Sequence, residues 1–461
     1  MIRKWVSASS LSLLLVGCAN VGMELPETTA LPEQWQQTEF INADFLELEW
    51  WREFDDPLLN QLQGQMLAKN LDLQLSAQRL LQAYDLLQVQ RAAQRPELGA
   101  ESSYQRQRDA LKAEDQAWSN RTQVGFSSVW AIDLWGQLRH RTEAAKAQAA
   151  MTLEQQHALQ IALMAELASA YVDYRATQQL ILVTRQNQAA AEQNLSLTQK
   201  REELGVATRL EVEQANSQLK ITVADLPLLE EQAHRLINAM SLLLNQTPNT
   251  LTAQLSEATE VPMIKRSIAT GVPSELAQRR PDIRMAEQHL RQTTAMINAA
   301  KADFYPSIRL TGNIGLDALH TSDLSNWSSR AFSFGPSLYL PIFTGGRLTS
   351  QLRLTEHKQQ EAAIAYQKTV LTAWHEIDNQ LMALKTQDQH VNNVQDAVQS
   401  AQLAAHIARE QYEYGESDFI NVLDSQSQLL RLQLQAVKAQ QSKARNQIQL
   451  FQALGGGWGD Y

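Results

Sequence analysis

Gly205 and Gly415 stand 210 residues apart (415 − 205), and the same even offset links a whole series of landmarks along the chain. Pro306 falls on Pro96, Gly346 on Gly136 and Glu376 on Glu166. Val422, Ser427, Gln428 and Leu429 fall on Val212, Ser217, Gln218 and Leu219. One gap-free offset that keeps its order across so many positions marks two copies of one structural unit. We place them at 57–245 and 272–454, joined by a Thr- and Pro-rich linker, 246–271, with 455–461 as a short C-terminal tail.

Both copies have the same internal order. Each opens with a helical stretch, Leu58 to Gln94 and Ser274 to Asp303, with apolar residues such as Leu71 and Leu75 at helical spacing. Pro96 and Pro306 close these stretches, because proline cannot continue a helix. Two strand-like segments follow in each copy, at about 97–108 and 122–134, then 306–316 and 331–343. Ile308, Leu310, Ile314 and Leu316 are even-numbered, as are Phe332, Phe334, Leu338, Leu340 and Ile342. In the first copy Val124, Phe126, Trp130, Ile132 and Leu134 do the same. Alternation at period two gives a strand one apolar and one polar face. Since 210 is even, both copies keep the same face apolar. Polar loops, Asp109 to Asn120 and Asp317 to Ser329, separate the paired strands. Long helices are then expected over 136–204 and 346–414, each about 100 Å if straight. They turn at Gly205 and Gly415 into second helices over 208–245 and 418–454.

Four strands with one apolar face raise the question of what covers that face. Each is long enough for a tilted span of a membrane barrel, which takes about 9–11 residues. An open sheet edge is not tolerated in lipid, and such barrels need at least about eight strands. A barrel of these strands must therefore be shared between chains, two giving 8 strands and three giving 12. A soluble sandwich or a sheet layered on helices is the competing arrangement.

The N-terminus favours the membrane. Arg3 and Lys4 precede a short apolar run, Val6 to Val16, and then "LVGC" ends at Cys18. This is the order of a secretory signal, 1–17, followed by an N-terminal segment, 18–56. "LVGC" resembles the bacterial lipobox, in which the chain is cut before a Cys that carries lipid. Cys18 is the sole cysteine, so no disulfide forms within one chain. Ala19, rather than Asp, follows it; by the sorting rule of the enteric lipoproteins that this box resembles, that implies the outer membrane. A formal charge of −10 with no basic block argues against nucleic acid as a partner. No enzyme motif survives inspection: "HEIDN" at His375 lacks the second His of a zinc protease site, and there is no phosphate-binding loop. No catalytic residue, metal site or cofactor is expected. "GGG" at Gly455 to Gly457 reads as a flexible segment.

Four stretches carry a family resemblance: "PSELAQRRPDIRMAEQHL" (273–290), "AAKADFYPSIRLTGNIG" (299–315), "FSFGPSLYLPIFTGGRL" (332–348) and "YEYGESDFINVLDSQSQLL" (412–430). With the lipobox and the repeat, the chain resembles the TolC-like outer-membrane efflux factors, in the lipoprotein (NodT/OprM-like) branch that serves resistance–nodulation–division pumps. The resemblance implies an α/β membrane channel: a homotrimer with a 12-stranded β-barrel in the outer membrane, a 12-helix periplasmic α-barrel, and a belt formed by the terminal segments and the linker. It implies a lipid-anchored, passive exit duct in a Gram-negative outer membrane, working with a periplasmic adaptor and an inner-membrane pump. The helix turns would meet the adaptor, through Gly205, Val206, Ala207 and Thr208, and through Gly415, Glu416, Ser417 and Asp418. The second turn is acidic and departs from the family motif. Spacing puts Ile420 and Asp424 on one helical face, and by spacing alone Asp424 reads as a solvated residue. The resemblance makes the two the periplasmic gate, with three Asp424 carboxylates near the axis. Ser427 stands where some relatives have an arginine, and Gln214 replaces Asp424 in the first copy. Two other functions share these features: a duct for type I protein secretion, and a periplasmic coiled-coil lipoprotein without a pore.

Overall fold

The computed structural model describes residues 41–42, 49–108, 118–265, 268–269 and 279–458. The expected signal, Cys18 and most of the 18–56 segment lie outside the described residues. In chain order the elements are β1 (Ile41–Asn42), α1 (Pro57–Lys69), α2 (Leu71–Ala92), β2 (Glu97–Arg108), β3 (Trp118–Ile132), α3 (Gln137–Glu203), α4 (Arg209–Ala224), α5 (Leu226–Leu243), β4 (Ile268–Ala269), α6 (Pro281–Ala302), β5 (Ser307–Ala318), β6 (Arg330–Tyr339), α7 (Arg347–Glu413) and α8 (Phe419–Ala453). Short 3₁₀ turns precede α1 and join β5 to β6. The described residues are mostly helical, with one four-stranded sheet and a two-stranded parallel pair, β1 with β4, and divide into two compact units.

The first unit includes Arg79–Leu153 and Met285–Gln367 and holds the sheet. Its strands pair antiparallel in the order β2-β3-β5-β6. The register keeps parity: Phe126 faces Ala100 and Ile314, and Ile314 faces Phe332. Even-numbered residues of all four strands therefore share one face, and odd-numbered ones the other. On the apolar face Phe332 is 77% and Phe334 86% exposed. On the polar face Arg121 donates to both carboxylate oxygens of Asp317, and Gln123 Nε2 also donates to that carboxylate at 3.2 Å. At the other end Trp130 Nε1 donates to the Gln94 carbonyl and Trp135 Nε1 to that of Pro306. Asp133 then caps α3 by accepting from the N–H groups of Leu138 and Arg139.

The second unit includes Glu154–Arg284 and Lys368–Tyr461 and holds a large buried core. Leu59, Leu62 and Met66 of α1, Met164, Leu167 and Tyr171 of α3, and Leu251 and Leu255 are all fully buried. Trp50 stacks on Phe451 with ring centroids 5.2 Å apart. The Tyr171 hydroxyl donates to Asp56 at 2.7 Å and accepts from Arg175 Nε at 3.0 Å. Burial, with the Asp56 contact, pushes this phenol far above its ordinary range. Arg280 binds Asp282 at 2.7 Å and Glu376 at 2.8 Å and donates to the Ala453 carbonyl. Its guanidinium is held above its ordinary pKa: burial works against the charge, and the two carboxylates outweigh it.

Several expectations are corrected. The first helical stretch breaks at Asn70, whose extended backbone (ψ 130°) ends α1. Its side chain caps Leu73 and donates to the Leu243 carbonyl. The span 208–245 breaks at Asp225 because Pro227 lacks an N–H and clashes with a continuing helix. Val437 stands at the equivalent place in the second copy, and α8 runs through it unbroken. Strand β3 starts at Trp118, four residues before the expected start, and β6 stops at Tyr339, before Pro341. Gly455 to Gly457 are not a flexible tail: all three are buried. Gly457 has φ +106°, and a Cβ there would lie 2.5 Å from Met164 Cε. Its carbonyl accepts from Gln160, and Trp458 stacks on His157 at 4.3 Å.

Candidate functional site

The candidate site is the pair of turns in the second unit. Helix α3 ends at Glu203 and α7 at Glu413, and a left-handed glycine follows each, Gly205 (φ 74°) and Gly415 (φ 76°). The Val206 N–H donates to the Arg201 carbonyl at 2.9 Å and the Gly205 N–H to Glu202 at 2.8 Å. Glu416 donates to Gln411 at 2.8 Å and Gly415 to Tyr412 at 3.0 Å. Both are Schellman caps, which satisfy the last carbonyls of a helix and reverse its course. Other residues would incur about 1–2 kcal/mol of backbone strain at these glycines.

The restart differs between copies. Thr208 forms a capping box: its hydroxyl accepts from the Glu211 N–H, and Glu211 Oε2 accepts from the Thr208 N–H at 2.6 Å. Asp418 caps α8 without a side-chain bond, and Asn421 Nδ2 donates to Ser417 Oγ at 2.9 Å instead. Gly205, Val206, Thr208, Gly415, Glu416 and Asp418 are exposed, whereas Ala207 and Ser417 are half-buried.

The turns are tied together. Arg201 lies over the Tyr412 ring at 4.5 Å and donates to the Tyr412 carbonyl at 3.0 Å. Tyr412 packs on Phe419 with centroids 5.1 Å apart, and Ala215 and Val422 complete the buried cluster. Burial, then the Glu211 charge, holds the Tyr412 phenol above its ordinary pKa. One side of α8 is thus committed to this cluster. Ile420 and Asp424 are exposed on the rest of the helix surface. Farther along, Asn194 donates to Gln426 at 2.6 Å and Asn187 to Gln433 at 2.8 Å. Both partners repeat every seven residues, the spacing of a coiled-coil seam, so these amides set the register of α3 against α8.

Residue reading alone missed Arg201, Tyr412 and the amide ladder. The first copy's equivalent of Tyr412 is Glu202, so the repeat offset could not mark it. No group of residues that could hold a metal ion, and no helix long and apolar enough to cross a membrane, exists among the described residues.

Comparison with known proteins identifies the family. The model of the family described as outer membrane efflux protein matches twice, over 62–246 and 272–456. Nodulation protein T of Rhizobium leguminosarum is 30% identical over 98% of this chain and 93% of its own length. Outer membrane protein OprJ of Pseudomonas aeruginosa is 30% identical over 98% of this chain and 96% of its own. The solved structure of the outer-membrane channel OprN superposes with a TM-score of 0.90 at 30% identity, covering 95% of this chain and 99% of that one. With its family model matched in both copies and relatives similar along nearly its whole length, the chain belongs to the outer membrane efflux protein family.

Proposed function

We propose that three copies of this chain form a closed tube, lipid-anchored through Cys18, that works with a periplasmic adaptor and an inner-membrane pump. The chain itself is an outer-membrane efflux channel rather than an enzyme, the exit duct of a tripartite system. The observation that carries the assembly is the sheet: one continuous apolar face, and two edge strands, β2 and β6, each with a neighbour on one side only. Such edges are not tolerated in lipid, so they pair between copies. Three copies then give 12 strands, and α3, α4–α5, α7 and α8 from each give a 12-helix tube, belted by the linker 246–271.

The band height supports the membrane reading. Trp118 and Trp130 share the even face of β3, 12 residues apart (130 − 118). At ~3.3 Å per residue and a tilt of ~40° they are separated by ~30 Å along the membrane normal, which suits two aromatic girdles around an apolar band of ~25 Å.

In this reading Ile420 and Asp424 narrow the periplasmic mouth, and Arg201, Tyr412 and Phe419 hold it closed. The turns Gly205 to Thr208 and Gly415 to Asp418 are the adaptor contacts. The test is reconstitution in planar bilayers. Low, cation-preferring conductance is expected from the native chain and a larger one from Asp424→Ala. Absence of current from both would overturn the duct. Cys18→Ser should leave trimers intact while loosening membrane attachment.

A further inference from the structure

The described strand residues confine their carboxylates to one face, which also holds Arg121 and Arg309. Glu97, Glu101 and Asp317 are all odd-numbered and lie on the polar face. The even, apolar face carries no carboxylate, yet it carries three arginines: Arg106, Arg108 and Arg330. All three sit at the loop end of the sheet. Arg106 pairs with Asn120 and Arg108 with Trp118, at the start of β3, while Arg330 opens β6 opposite Leu316. Each lies against an exposed indole. Arg106 and Arg108 are 4.8 Å and 6.0 Å from the Trp118 ring, and Arg330 lies over Trp327. Trp118 is 55% and Trp327 77% exposed.

A cation on a lipid-facing barrel surface is costly at mid-membrane and tolerable only near the headgroups. Three such cations gather at one end, with none in the middle and no acid on the same face of the described strands, which suits an anionic partner at headgroup depth. The arrangement also has a lateral logic. Strand β2 runs towards the loop end and β6 runs away from it, on opposite edges of the sheet. If β6 of one copy pairs with β2 of the next, Arg330 of the first converges with Arg106 and Arg108 of the second. On a chain whose formal charge is −10, this basic seam stands out.

We propose that Arg106, Arg108 and Arg330, seated on Trp118 and Trp327, bind the phosphate groups of a phosphorylated glycolipid in the outer leaflet, at each seam between neighbouring copies. The inference rests on the shared-barrel reading. Arginine suits the role because its planar fork takes phosphate oxygens two at a time, and the indoles suit it because they stack on the guanidinium and sit well at the interface. The bound lipid would bridge two subunits and stabilise the assembled barrel.

The test uses the full-length protein in phosphatidylethanolamine vesicles. These contain either bisphosphorylated lipid A or the same glycolipid stripped of its phosphates, with divalent cations chelated. Retained glycolipid is measured by mass spectrometry after mild detergent extraction, and channel current is recorded from the same preparation. Retention should favour the phosphorylated form by roughly tenfold or more. The triple variant R106Q/R108Q/R330Q should lose that preference and still conduct. R309Q, on the polar face, should keep it. Equal retention of both glycolipids by a conducting native channel overturns the lipid site and leaves the duct standing. So does loss of the preference in R309Q alone. A preparation that neither conducts nor forms trimers overturns the duct and the lipid site together.

Discussion

Arg201, one turn before the first helix break, reaches the second break and lies 4.5 Å from the centre of the Tyr412 ring while donating to the Tyr412 carbonyl. Two turns far apart in sequence are thereby held as one object. A partly desolvated cation–π contact contributes about 1–2 kcal/mol and a charged hydrogen bond about as much. Arg201→Ala should loosen the tie between the two turns by about 2–3 kcal/mol. Hydrogen exchange should then quicken around Phe419 to Leu423, and mean bilayer conductance should rise. Unchanged exchange in that segment would show that Arg201 is not the tie.

The glycines separate two kinds of cost. Around Gly415 a Cβ would meet nothing within 4 Å, so Gly415→Ala brings only the left-handed backbone penalty, about 1–2 kcal/mol. At Gly457 the same methyl would also press 2.5 Å from Met164 Cε and 3.0 Å from Trp50 Nε1. Gly457→Ala should therefore cost about 2–4 kcal/mol. Denaturant unfolding of the two variants side by side checks the order, and equal midpoints would contradict it.

Alkaline stability should report Tyr171. Its buried phenol, bonded to Asp56, has a folded pKa raised above the unfolded value of about 10. The neutral phenol's contribution is complete below that pH and is lost as pH rises towards the folded value. Each pH unit above about 10 then removes up to about 1.4 kcal/mol. Tyr171→Phe should be less stable by about 1–3 kcal/mol near neutrality, with a flatter alkaline limb. Unfolding midpoints followed from about pH 8 to pH 11 test the slope.

The two sheet faces should respond oppositely to charge. Ile314, on the even face, is 64% exposed within the single chain and faces both Phe126 and Phe332. Ile314→Arg should cost about 2–4 kcal/mol or block membrane insertion, while Asn313→Arg on the polar face should be tolerated. Heat resistance of the oligomer on gels distinguishes them.

Asp424 should act through charge. Asp424→Asn keeps the shape and removes the carboxylate, so cation preference in reversal-potential measurements should fall while the fold stays intact. An unchanged reversal potential would return Asp424 to a solvated helix residue.

Much of this architecture was legible along the chain. The even offset of 210, the period-two strands and the glycine at each turn are local and repeated, and local backbone chemistry is what sequence pattern records. The register confirms the reason: pairs of equal parity put Phe126, Ile314 and Phe332 on one face. The unrepeated features were decided only by tertiary structure. Arg201 meets Tyr412, Asn194 meets Gln426, and Arg280 meets Glu376 across separations that no periodicity encodes. Gly455 to Gly457 look flexible in isolation because glycine tolerates many conformations. Packing against Arg279 at Gly455, and against Met164 and Trp50 at Gly457, holds these two in backbone states in which a side chain would not fit. Pattern thus determined which elements form and which faces are apolar. Contact between elements distant in sequence decided where the chain is clamped, because the free energy of a clamp lies in pairs of residues rather than in either residue alone.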